Sequence, residues 1–115
     1  MTKQGKIWGE TRLVFRNANA EVHLITAKQG GYCSKHRHIA KFNQFHVLRG
    51  RLAVETWKRE YDLCDVTELG PGDTTTCAPG EYHRFRTLED TDALEVYWVE
   101  LRADDIERDN VGGTE

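Results

Sequence analysis

At 115 residues and 13.3 kDa, the chain has room for one domain built on a single hydrophobic core. Its 38% apolar and 30% charged residues lie near the globular average, which excludes wholesale disorder. Sixteen Lys and Arg against nineteen Asp and Glu leave a net charge of -3, the wrong sign for a protein that neutralises phosphates, so no nucleic-acid partner is expected.

Read in chain order, period-two patterning dominates. Leu13 with Phe15, then Val22 with Leu24, then Phe45 with Val47, and later Val54, occupy strand positions. Lys58-Arg59-Glu60-Tyr61-Asp62 reads as a solvated hairpin loop. The stretch Ala93 to Leu101 is rich in β-branched and aromatic residues and predicts a buried strand, apolar enough on both faces that one should meet a second subunit. Ala103 to Arg108 predicts a short helical turn with Asp104 as N-cap, and Gly112 to Glu115 a frayed end. Turn signals at Gly30-Gly31, Gly50, Gly70-Pro71-Gly72-Asp73 and Pro79-Gly80 punctuate the chain. Many short strands without a long helical pattern predict an all-β sandwich or jelly-roll barrel over about residues 12–101, with a tail over 102–115.

No apolar run approaches the ~20 residues of a membrane span, and the N-terminal lysines are followed by no apolar stretch of a secretory signal. Cys33, Cys64 and Cys77 are odd in number and match no Cys-x-x-Cys spacing. Neither disulfides nor a cysteine-rich zinc site is expected, and a reducing cytoplasm is.

The histidines carry the chemistry. Gly30, five residues, His36-Arg37-His38, four residues, Asn43, six residues and Gly50 form one block. A second runs from Gly72 across five residues to Ala78-Pro79-Gly80 and then His83. Residues two apart in an extended strand share a face, so His36 and His38 present two imidazoles together. The turn at Ala78-Pro79-Gly80 lets His83 approach from another strand. Three neutral imidazoles suit Zn, Fe, Mn, Ni or Cu at about 2.1 Å.

These two blocks resemble the paired motifs of the cupin superfamily, Gly-x5-His-x-His-x3-4-Glu-x6-Gly and Gly-x5-Pro-x-Gly-x2-His-x3-Asn. The resemblance runs from about Val22 to Leu101 and implies a double-stranded β-helix barrel, a divalent metal held by His36, His38 and His83, and a homodimer. Asn43 stands where the family has Glu, Ala78 where it has Pro and Thr87 where it has Asn. The Asn43 carbonyl is a neutral, weaker ligand, and without the carboxylate the bound cation keeps more of its charge, which favours an anionic substrate. Gly30-Gly31-Tyr32-Cys33-Ser34 and the end of the chain from Leu94-Glu95-Val96 also resemble the cupin domain of type II phosphomannose isomerases, which implies a sugar or sugar-phosphate ligand.

The resulting expectation is a metal-dependent isomerase or epimerase in which the metal is a Lewis acid; no general base is placed. The alternatives are an Fe(II) dioxygenase at a three-histidine site and a non-catalytic sugar-binding module. Tyr32, Ser34, Phe85, Tyr97 and Trp57 are candidates to line the barrel mouth. Cys77 should pack inward, Gln44 and His46 should face outward, and His23 has no motif position. Arg37 and Arg84 flank the histidines and should be solvated, while Glu81 and Tyr82 lie beside His83 within reach of proton transfer.

Overall fold

The computed structural model describes residues 3–57, 63–100, 104, 105, 107, 108 and 111–114. Among the described residues nine strands run antiparallel: β1 (Lys3–Lys6), β2 (Gly9–Arg16), β3 (Ala20–Ala27), β4 (Phe42–Arg49), β5 (Leu52–Trp57), β6 (Cys64–Leu69), β7 (Thr74–Cys77), β8 (Tyr82–Thr87) and β9 (Thr91–Trp98). They form a six-stranded sheet in the order β1-β2-β3-β9-β4-β7 and a three-stranded sheet in the order β6-β5-β8. No helix occurs among the described residues, so the all-β jelly-roll expectation holds.

Alternation decides which side chains face in. On β4, Asn43, Phe45 and Val47 are buried between half-exposed neighbours; on β8 the buried set is His83, Phe85 and Thr87. Ile25, Phe45, Val47, Leu52, Val54, Leu69, Phe85 and Ala93 fill the space between the sheets. Each large apolar side chain removed from water contributes about 1.5–3 kcal/mol, so this layer dominates the stabilisation. Trp8 packs against it edge-on to Phe85, with ring centroids 4.9 Å apart. Gln44 and His46 face outward, and Cys77 faces in, as their parity predicts.

Close approach also shapes the chain. Gly50 turns the β4–β5 hairpin at φ 93°, where a Cβ would lie 2.2 Å from the Asp90 carbonyl oxygen. A side chain there meets both a steric and a conformational barrier.

Several elements differ from the sequence expectation. The barrel starts before residue 12, because β1 and the first residues of β2 already pair. Strand β9 ends at Trp98 and not at 101. His36 and His38 do not lie on a regular strand: residues 28–41 cross between β3 and β4 with isolated bridges only at Tyr32 and His36. Asp104, Asp105, Glu107 and Arg108 lie in no helix, while the hairpin loop read at 58–62 and the residues Leu101, Ala103, Ile106 and Glu115 fall outside the described residues. No helix among the described residues is long and apolar enough to cross a membrane.

Candidate metal centre

The segment that carries His36 and His38 is zipped onto β8 by backbone hydrogen bonds. Thr87 N donates to Gly31 O at 2.8 Å, Cys33 N to Phe85 O at 3.2 Å, and His36 and His83 exchange both their amide bonds at 3.1 and 2.8 Å. Gly80 N then donates to His38 O at 2.7 Å. Gly80 adopts φ 85°, a left-handed conformation that costs glycine little, so the Pro79-Gly80 turn fixes both neighbours of the site. Glu81 supports the same turn by accepting the Ala78 amide at 2.7 Å.

This scaffold brings the three predicted histidines together. One ligand nitrogen from each of His36, His38 and His83 lies within 4.8 Å of the other two. The ring centroids stand 5.1, 4.6 and 5.4 Å apart around the triangle. The hydrogen-bond pattern assigns the tautomers. His36 Nδ1 donates to the Ser34 carbonyl at 2.7 Å and His83 Nδ1 to the Glu81 carbonyl at 3.1 Å, which leaves each Nε2 with a free lone pair. The Nε2 atoms of His38 and His83 are buried and have no hydrogen-bond partner. Buried polar atoms left unpaired cost free energy, and a cation at their common point would satisfy both.

Electrostatics favour the neutral, ligating form of the rings. Burial, reinforced by neighbouring His36, Lys41 and His83, lowers His38 to about pKa 4. Burial also lowers His83, against the pull of the Glu81 carbonyl. Asn43 is fully buried, its Nδ2 donates to Val96 O at 3.5 Å, and its Oδ1 lacks a partner. That oxygen is therefore available as a donor atom where the cupin motif has a carboxylate.

A cavity of about 810 Å³ opens beside the cluster. Tyr32, Ser34, Phe85 and Tyr97 all line it, together with His36; His38 and His83 do not. The ring of Tyr97 nonetheless stands edge-on to His38 at 5.0 Å, which joins cavity and cluster. Trp57, also expected at the mouth, instead lies on the outer face, where β5 pairs it with Tyr82. Arg37 is exposed as expected, whereas Arg84 is half-buried and paired with Glu55 at 2.9 Å.

The sequence reading missed Glu95. It lines the cavity, with the Tyr97 hydroxyl and the Asn43 amide facing its carboxyl, and burial raises its pKa above the usual carboxylate range. Burial and the same carboxylate raise the Tyr97 phenol, so Tyr97 remains a hydrogen-bond donor. Its signal was present: Ala93, Glu95 and Tyr97 share one face of β9, and an acid on the inward face of an otherwise apolar strand is costly without a purpose. His23 was missed as well. Paired with Glu95 across β3 and β9, it faces inward, 3.1 Å from Glu21 and edge-on to Tyr97 at 5.9 Å.

The family model described as "Cupin domain" matches residues 23–100. Among solved structures, the chain is similar to KdgF from Halomonas sp. at 18% identity and TM-score 0.74, covering 92% of each chain. It is also similar to the Lactobacillus farciminis oxalate decarboxylase in its formate complex (18%, TM-score 0.75, 85% of this chain and 30% of that one). The Schizosaccharomyces pombe Cnp3 cupin domain matches at 10% identity and TM-score 0.73, over 87% of this chain and 69% of that one. No curated protein matches.

Proposed function

The chain belongs to the cupin family, and from that premise we propose a single metal-dependent cupin domain acting on a small, oxygen-rich ligand such as a sugar or sugar phosphate. His36, His38 and His83 hold a divalent transition metal, with Asn43 Oδ1 as a fourth donor. The observation that carries this reading is the convergence of three imidazole nitrogens within 4.8 Å, two of them buried and unpaired. When bound, the metal supplies Lewis acidity that polarises a ligand carbonyl or orients vicinal oxygens.

The chain's own residues supply the rest. Tyr97 donates its hydroxyl hydrogen bond to the Glu95 carboxylate, and Glu95, lining the same cavity as His36, serves to accept a proton from the ligand and return it. Trp8 and Phe85 give the cavity an apolar wall that excludes water from that exchange. Glu95 beside His36 in one cavity supports an isomerase or epimerase type of reaction over passive binding. The free thiols Cys33, Cys64 and Cys77 suit a reducing cytoplasm.

A homodimer forms through the outer face of the larger sheet. There Val22 and Leu24 pair with Val96 and Leu94, and Phe42 stacks on Trp98 at 5.4 Å.

Titration with Co(II), whose d–d absorption reports its ligands, tests the site. A saturable visible band in the wild type, absent in His38→Ala, is expected; equal spectra would overturn the assignment.

A further inference from the structure

The outer face of the smaller sheet carries a row of charges on the side of β8 opposite His83 and Phe85, with Tyr32 shared between the row and the cavity. Strand β8 turns Tyr82, Arg84 and Arg86 outward as it turns His83 and Phe85 in, and β5 places Trp57 opposite Tyr82 and Glu55 opposite Arg84. The segment before His38 adds Tyr32, Lys35 and Arg37. Cations and rings then alternate: Arg86 lies 5.9 Å from the Tyr32 centroid, Tyr32 lies 5.6 Å from Arg84, and Arg84 lies 5.5 Å from Trp57. Lys35 follows at 4.1 Å from Trp57 and 5.7 Å from Tyr82, and Arg37 ends the row at 5.0 Å from Tyr82.

Among the described residues of this row, four cations against the carboxylate of Glu55 give an excess of three positive charges, in a chain whose net charge is -3. Among the described residues no carboxylate pairs with Lys35, Arg37 or Arg86, and all three are exposed. The rings hold the cations apart and in place, so the row is ordered before any anion arrives.

The matching anion is in the same chain. Between Asp104 and Asp109 stand four acids and one arginine, an excess of three negative charges. Asp105, Glu107 and Asp109 alternate in the sequence, the same two-residue spacing that separates Arg84 from Arg86 on β8. Asp105 and Glu107 are exposed and have no cationic partner among the described residues. We propose that the acidic segment of one copy docks along the cation–ring row of a second copy. Arginine forks donate hydrogen bonds to the carboxylates, and the contact uses none of the three histidines.

A fluorescein-labelled peptide spanning residues 103–110, titrated with the full chain and followed by anisotropy, is the direct test. Saturable binding is expected, weakening by about tenfold or more between 0.01 and 1 M salt as the Debye length falls from about 30 to about 3 Å. Arg86→Glu alone, and Lys35→Glu with Arg86→Glu, should weaken it progressively while circular dichroism stays unchanged. Sedimentation at low salt should show less association for a chain ending at Glu100 than for the full chain. Equal sedimentation of the two chains, no peptide binding at millimolar protein, equal binding by the reversed variants, or a single-stranded oligonucleotide binding where the peptide does not, would each overturn the proposal.

Discussion

At the His36–His83 bridge, backbone and side chain cooperate: paired amide bonds fix the two Cα positions, and two carbonyls set the tautomers. His83→Ala should therefore abolish metal binding at micromolar metal, whereas Ser34→Ala should retain it, because His36 donates to the Ser34 carbonyl and not only to its hydroxyl. Comparing metal content of the two purified variants checks this. Glu95→Gln keeps shape and burial but removes the proton acceptor. Turnover should fall by about 10²–10⁴-fold with metal content unchanged, whereas equal losses of metal and turnover would make Glu95 a structural support of Asn43. The histidine cluster was legible in the sequence because His36 and His38 are two residues apart and His83 follows a second block of glycine and proline spacing. Glu95 was signalled only by its place on the inward face of β9, and His23 not at all, since its meeting with Glu95 depends on the β3–β9 register, a pairing of residues 72 positions apart.

Among the elements, β4 and β8 are the pair on which the site rests, and Phe45 is the side chain that joins them. It is fully buried, 6.4 Å from the His83 ring and 5.9 Å from Phe85. Phe45→Ala should cost about 3–5 kcal/mol in denaturant unfolding and loosen the metal site with it. The alternation that buries Phe45 and Val47 is a period-two signal, and this is why β2, β3 and β4 were readable, while β9 was readable from its β-branched and aromatic content. β1 was not, because Lys3-Gln4-Gly5-Lys6 is polar throughout and carries no period-two apolar signal. The His36 segment was read as a strand from its His-x-His alternation. In the structure its hydrogen bonds go to β8 at intervals, so it follows a sheet edge without regular pairing.

For the molecule as a whole, buried neutral imidazoles make stability depend on pH. An unfolded histidine takes up its proton near pH 6.5, while His38 in the native state resists until about pH 4. The unfolded state therefore binds more protons across that window, and stability is greatest above it and falls as pH drops toward 4. For the metal-free protein the loss should be about 1–2 kcal/mol after solvent screening, read as a lower midpoint in urea at pH 4.5 than at pH 7. An unchanged midpoint would show that His38 is protonated in the folded state.

The central claim is that three converging imidazoles form a metal site, and metal content measured by inductively coupled plasma mass spectrometry tests it most directly. The untagged wild type, purified and then reloaded in turn with Fe, Zn, Mn, Ni and Cu, is compared with a His36→Ala/His83→Ala variant. Near-stoichiometric retention of one metal by the wild type and none by the variant is the expected result. Equal, sub-stoichiometric metal in both proteins under every loading condition would contradict it.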